Sequence, residues 1–295
     1  MFYREKITGH KLAPYLFLLP SLFLLSVFVF YPIIYALYGS LFEWSVISPE
    51  RAFVGIGNFR RVFDDIFYWQ YLRQTLYYAV GGVVFGTISA LLLALFVNSL
   101  GKLSIPMRTM YFLPVVTPVV AIAIVWQWIF QPQFGLLNYI LSFFGIPPQD
   151  WIMSSSQVIP SLIIMGIWHG VGYSMVIFLA GLQSIPQEYY EAAMIDGASS
   201  FKRFQYITLP LLAPTFTFLL VTGTIGGLQV FSEPYILTGG GPGGASRVTG
   251  MYIYDNAFRY ARMGLGCAQA FVLFGVVLVF SLLELYLLRR REVSF

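Results

Sequence analysis

The sequence predicts an all-α, polytopic membrane helical bundle with six transmembrane helices. Three observations predict it: a charge-poor apolar composition, six apolar runs of spanning length, and Pro and Gly set inside those runs. Of the 295 residues, 58% are apolar and 10% charged, and the mean hydropathy is +0.75. A water-soluble domain carries roughly a quarter of its residues as Asp, Glu, Lys or Arg. So little charge cannot cover an aqueous surface, and lipid must be part of the solvent. The 18% aromatic share agrees, because Tyr and Trp settle at the headgroup level.

The runs lie near 14–40, 75–99, 107–131, 157–182, 210–232 and 265–289, within one transmembrane domain covering 1–295. Each has the roughly 20 residues that a hydrocarbon core of about 30 Å requires. They are expected as helices, since backbone N–H and C=O groups must be paired within the segment where water is absent. They are too long, and too little alternating, for barrel strands. The first run sits within the apolar stretch Leu12–Phe42, too long for the core of a cleaved signal and without a convincing small-residue cleavage site; it reads as a retained helix. Pro20, Pro32, Pro114 and Pro118 each remove a donor and invite a kink. Gly82/Gly86, Gly166/Gly170 and Gly223/Gly227 are small-xxx-small pairs that allow helix backbones to approach.

Charge then orients the bundle. Ten Lys and Arg, from Arg4, Lys6 and Lys11 through Lys202 and Arg203 to Arg289–Arg291, fall on one side, and seven on the other. The excess predicts that both termini are cytoplasmic. The 17 basic and 13 acidic residues form no basic run interleaved with stacking aromatics, which argues against nucleic acid as a partner. A lone cysteine, Cys267, excludes an internal disulfide and a cysteine metal cluster.

The spans hold almost no ionisable groups: Glu284 one turn before the terminal Arg cluster, and His169 deep in the fourth. Gradient-coupled carriers place their coupling charges inside the membrane, and voltage sensors need Arg ladders. Energy for uphill transport would therefore enter from outside the bilayer. The chain has no G-x-x-x-x-G-K-[ST] phosphate loop, H-E-x-x-H zinc motif, G-x-S-x-G elbow or paired catalytic carboxylates. No catalytic or metal site is expected.

The connection 183–209 is long for a bundle turn. Its first part, Ser184 to Gly197, reads as a short helix, with Ser184 as cap, Pro186 in the first turn, Glu188 and Glu191 near the positive dipole end, and Gly197 in the left-handed stop. A second short helix, about Ser199 to Ile207, leads into the fifth span. Two amphipathic helices on the cytoplasmic face make a docking surface.

Glu191-Ala192-Ala193, then Gly197, then Ile207 and Leu209-Pro210 resemble the EAA signature of ABC-importer permeases. The resemblance extends over nearly the whole chain. Ala13-Pro-Tyr-Leu-Phe-Leu-Leu-Pro20, Phe30-Tyr-Pro-Ile-Ile34, Gly55-Ile-Gly-Asn-Phe59, Leu237-Thr-Gly-Gly-Gly-Pro-Gly243 and Arg290-Arg-Glu-Val-Ser-Phe295 are similar to carbohydrate-uptake permeases, more to the first maltose-type membrane subunit than to the second. Glycerol-phosphate permeases share this framework.

The resemblance implies a coupling helix inserted into a cleft on an ATPase subunit. Glu191 would make the ion-pairing contact, Ala192 and Ala193 would allow close approach, and Gly197 would set the turn, with Asp196, Ile207, Leu209 and Pro210 in the same segment. It implies a second homologous permease, two cytoplasmic ATPases and an external solute-binding protein as partners, beside membrane lipid. No cofactor is expected on this chain; Mg-ATP would sit on the ATPases.

For the solute path, Thr222, Gly226, Gln229 and Glu233 share one helical face by spacing. Gly166, Gly170 and Tyr173 share another, with Trp168 and His169 nearby. Sugar sites combine aromatic platforms with uncharged hydrogen-bonding groups in a concave pocket. Trp168, Tyr173, Thr222 and Gln229, with Gly170 and Gly226, are the candidates; the alternative is that the side chains satisfy one another at helix contacts. Trp126, Gln127 and Trp128 either line the path or anchor a span. For His169 the expectation is a neutral imidazole bonded to a neighbouring helix. Gly239–Gly244 follows no strand and is expected as a flexible external loop near the binding protein.

Overall fold

Asp65 opens the longest helix among the described residues: its side chain accepts from the backbone N–H groups of Phe67 (2.9 Å) and Tyr68 (3.4 Å), two donors that an uncapped helix would leave unpaired. The structure, a computed structural model, describes residues 13–47 and 50–289, without the side chains of Ala13, Pro14 and Arg289. Of the sequence features above, Arg4, Glu5, Lys6, Lys11 and the ending Arg290–Phe295, Glu292 included, lie outside the described residues.

The described residues cluster into two units. One takes in the residues up to Asp64 with Ile253–Val272; the other takes in Asp65–Tyr252 and the residues from Leu273 onward. In the first unit, α1 (Tyr15–Ser40) is an unbroken apolar helix with Pro20 and Pro32 inside it and a π-turn at Ser26–Phe30. The strands β1 (Phe42–Glu43) and β2 (Ala52–Phe53) pair antiparallel, Phe42 opposite Phe53, and α2 (Gly57–Asp64) follows. The buried Asn58 amide donates to the carbonyls of Ser40 and Phe42, both at 2.9 Å. Trp44 carbonyl accepts from Met263 N at 3.1 Å and so ties this hairpin to the start of the last helix.

The second unit holds α3 (Ile66–Ser99), α4 (Ser104–Val116), α5 (Val119–Ile129), α6 (Leu136–Ser142), α7 (Val158–Ser184), α8 (Gln187–Ile195), α9 (Ser200–Leu211), α10 (Ala213–Leu228), α11 (Ser232–Thr238) and most of α12 (Thr249–Tyr254). The last helix, α13 (Met263–Arg289), contributes its second part. Helix α3 packs along α7 and α10, and α4 packs on α7. One core gathers Tyr78, Trp126, Phe130, Leu162, Met165 and Met251; the other gathers Ala90, Ala94, Met175, Phe178, Leu179 and Leu212.

Three expected span boundaries change. The second helix begins at Ile66 rather than near 75, because Asp65 caps it and its polar first turns still bury Tyr68 and Leu72. Its 34 residues make about 50 Å, well beyond a hydrocarbon core of about 30 Å. The third expected span, 107–131, is two helices bent by 97°. Pro118 has no N–H and holds Thr117 extended at ψ 133°, which ends α4 and starts α5 in a new direction. The fifth, 210–232, is likewise bent: α9 meets α10 at 61°, with Pro210 and Pro214 on either side of Leu212, and α10 stops at Leu228. Among the described residues, four helices are long and apolar enough to cross a membrane, and up to six if each bent pair counts as one.

The glycine stretch expected to be flexible is a hydrogen-bonded turn. Gly239, Gly240, Gly243 and Gly244 take positive φ, Thr238 Oγ1 and Ser246 Oγ lie 2.7 Å apart, and Ser246 Oγ donates to Gly241 O at 2.6 Å. Gln127 is likewise bound in the fold: its amide donates to the carbonyls of Ile236 (3.1 Å) and Leu237 (2.9 Å), capping α11.

Candidate solute path and coupling loop

The segment with the EAA pattern is local structure of a definite kind. Helix α7 runs through to Ser184, whose hydroxyl donates to Gly181 O at 2.8 Å. Ser184 therefore does not cap α8, as its position suggested; Pro186 occupies that place without a side-chain cap. At the other end, Gly197 N donates to Met194 O (3.0 Å) and Ala198 N to Ala193 O (2.8 Å). This is the Schellman pattern, which needs a left-handed residue after the helix. Gly197 supplies it at φ +76°. Ser199 then caps α9 by accepting from Lys202 N at 3.4 Å. Tyr190 hydroxyl lies 2.9 Å from Thr208 Oγ1 and fastens α8 to α9.

Glu191, Ala192, Asp196 and Gly197 are exposed, whereas Ala193, Ile207, Leu209 and Pro210 are half-buried. Leu209 packs on the Leu182–Leu212 core. The loop also exposes large apolar side chains: Ile195 at 87%, Phe201 at 71% and Tyr206 at 70%. A rigid surface mixing exposed apolar and acidic groups has the chemistry of a protein-docking site.

Within the same unit, α3, α7, α10 and the segment leading into α11 surround a cavity of about 600 Å³. Gly82, Gly86, Gly170, Gly223, Gly226 and Gly227 form much of its wall, with Tyr78, His169, Ser174, Gln229 and Glu233 among its polar groups; no Lys or Arg lines it. The glycines divide by role. A Cβ on Gly227 would approach Ala79 Cα to 2.9 Å, so this position does serve helix approach, while Gly82, Gly170 and Gly226 have nothing within 4 Å of a Cβ and leave the cavity open.

Of the residues singled out for the path, Gly170, Gly226 and Gln229 line this cavity. Trp168 instead stacks edge-on against Trp126 with centroids 5.7 Å apart, beside two apolar hollows. Thr222 is exposed away from the cavity and donates to Phe218 O at 2.7 Å. Tyr173 is also exposed outside it. Trp126 is buried in the core and Trp128 is exposed. Sequence reasoning left out Tyr78, Ser174 and the α3 wall. The signal was available: Tyr78, Gly82 and Gly86 repeat every four residues and mark one helical face.

Residues 82–293 match the family described as the binding-protein-dependent transport system inner membrane component. A probable ABC transporter permease of Bacillus subtilis strain 168, YurN, is 38% identical over 95% of this chain and 97% of its own length. The trehalose/maltose transport system permease MalF of Thermococcus litoralis is 35% identical over 98% and 96%. Among solved structures, a chain of the bacterial alginate ABC transporter, in complex with a periplasmic protein carrying an alginate pentasaccharide, superposes with TM-score 0.82 and 25% identity, covering 96% of both chains.

Proposed function

This chain belongs to the family of binding-protein-dependent transport inner-membrane components, the permeases of ABC importers, and from that premise we propose that it forms half of the path for a sugar or sugar-like solute. The observation that carries this reading is a continuity: α7 lines the cavity at His169 and Gly170 and ends at Ser184, directly before the exposed Glu191-Ala-Ala helix. The same rigid helix touches the path and the loop.

In this reading the chain crosses the membrane six times, each bent pair counting as one span, with both termini in the cytoplasm. A second homologous permease completes the path, an external solute-binding protein delivers the solute, and two ATPases bind Mg-ATP. This chain performs no chemistry itself. Helix α8 seats on an ATPase through Glu191, Ala192 and Ala193, while Asp196, Gly197, Ile207, Leu209 and Pro210 hold its exit. Closure of the ATPases displaces α8. The Tyr190–Thr208 contact and the short link to Ser184 pass that displacement to α10 and α7, and the cavity switches its opening by rigid-body movement.

The glycine-rich wall, with hydroxyl, amide and carboxylate groups at Tyr78, Ser174, Gln229 and Glu233, suits a polyhydroxyl solute. The relatives named for trehalose/maltose and for alginate support a carbohydrate over a glycerol phosphate, and a cavity without Lys or Arg does the same. Trp168, Tyr173 and Thr222 lie off the cavity of this chain and enter the path only if the second permease extends it across them.

The test is co-purification from detergent of wild type, Glu191→Ala and Gly197→Asp, with ATP turnover and mass spectrometry. Wild type is expected to bring down an ATPase and a second permease with ATP turnover, and both substitutions to weaken them. Wild type free of any ATPase, together with solute flux driven by an ion gradient in proteoliposomes, would overturn the reading.

A further inference from the structure

The connection between α5 and α7 lies at the opposite end of α7 from the coupling loop. From Thr109 to Gln149 the chain carries no Asp, Glu, Lys, Arg or His, although this stretch includes α6 and its flanking turns. Trp128, Phe134, Tyr139, Phe143 and Phe144 are each between 62% and 75% exposed. An apolar groove of about 380 Å³ runs beside them, lined by Ile124, Val125, Trp128, Ile129, Phe134 and Leu136.

This edge is held in one shape. The Asn138 amide donates to Pro132 O and Gln149 O, both at 2.9 Å. Its oxygen accepts from Gln149 N (3.0 Å) and from the Trp151 indole (2.8 Å). Gln157 accepts from Trp151 N at 2.8 Å and donates to Gln149 Oε1 at 2.8 Å. The polar groups are thus spent inward and the aromatic ones point outward, the reverse of what water selects.

We propose that α5, the Phe134 turn and the α6–Ile146 segment form a lipid seat, inserted into the leaflet opposite the coupling loop, with an acyl chain in the Trp128–Phe134 groove. Two features favour lipid over a protein occupant. The face continues the exposed apolar side of α5 (Val120, Ile124 and Val125), and the 109–149 stretch carries none of the charged residues found at the rim of a protein interface. Aromatic rings with an adjacent polar network also match the headgroup boundary, where Trp and Tyr concentrate. A docking protein that must dissociate would leave this surface in water, at roughly 25 cal/mol for every Å² of apolar area.

The test uses spin labels on the full-length chain, co-purified with its partner subunits and placed in phosphatidylethanolamine–phosphatidylglycerol nanodiscs. Cys267 is first changed to Ser; then Phe144→Cys and Phe134→Cys are labelled separately, with Ser155→Cys as a polar-turn reference. Expected is collisional accessibility to oxygen several-fold above that to a water-soluble nickel chelate at 144 and 134, with the order reversed at 155. Nickel-dominated accessibility at both 144 and 134 would place the face in water and overturn the proposal. Exclusion of both probes at those sites would mean a protein covers it and would equally overturn it. Two independent sites keep the result decisive if one label perturbs folding.

Discussion

Thr224 Oγ1 donates to Glu284 Oε1 at 2.7 Å, a side-chain bond between α10 and the last helix. The second carboxylate oxygen, Oε2, is buried and has no hydrogen-bond partner among the described residues. Intramembrane carboxylates are rare, and the physical question they raise is which donor satisfies them. Here the donor comes from the helix that carries Gly223 and Gly226 in the cavity wall. Thr224→Val should remove it and cost about 1–3 kcal/mol, seen as a lower melting midpoint of the detergent-solubilised protein. The double change Thr224→Val with Glu284→Leu should recover most of that loss, because neither polar partner then remains buried. Equal destabilisation by the single and the double change would mean that the bond is not what holds these helices.

Gly226 and Gly227 are adjacent yet should respond in opposite ways. Gly226→Phe projects into open cavity and should abolish solute-stimulated ATP turnover while leaving the melting midpoint unchanged. Gly227→Ala drives a methyl against Ala79 and should lower the midpoint, as overpacking of about 1–3 kcal/mol does. Measuring both properties on both variants separates a path residue from a packing residue.

The left-handed turn at Gly197 predicts an ordered series. Gly197→Ala places a Cβ where the backbone disfavours it by roughly 1–2 kcal/mol, whereas Asn tolerates that conformation better. ATPase co-purification should therefore fall for Ala and be partly kept for Asn. The bundle's melting midpoint should stay put in both, since a Cβ at Gly197 meets no neighbour. A fall in the midpoint that tracks the loss of ATPase would show a role in the bundle itself.

Asn138 joins two carbonyls, one backbone N–H and one indole. Asn138→Asp turns the amide donor into an acceptor facing two carbonyl oxygens, and Asn138→Ala leaves four groups to find water. Both should loosen Trp151, with a red shift in its fluorescence against a Trp151→Phe reference, and the Asp variant should be the more disruptive. A spectrum identical to wild type would mean that the loop is held by the Gln157 contacts alone.

Several elements were legible because lipid imposes a one-dimensional rule: a backbone without water must be helical, so an apolar run announces a helix. The helices at 15–40, 158–184 and 263–289 follow from that rule to within a few residues. Gly197 was legible because only a few residues tolerate a left-handed C-terminal turn, and the Schellman geometry uses it in that way. Ser184 was misread because a hydroxyl can bond backward as well as forward, and α7 continued far enough to take it.

What the sequence by itself determined is therefore composition-driven and local: a helical membrane protein, its apolar segments, the EAA-bearing loop and the absence of a phosphate loop that could drive it. The tertiary structure alone decided which face of each helix meets another helix and which meets the cavity. In a span apolar on all sides, hydrophobic periodicity cannot mark those faces, since lipid and core select the same side chains. Packing distance decides instead, as at Gly227 against Ala79, where Gly226 beside it opens onto empty space.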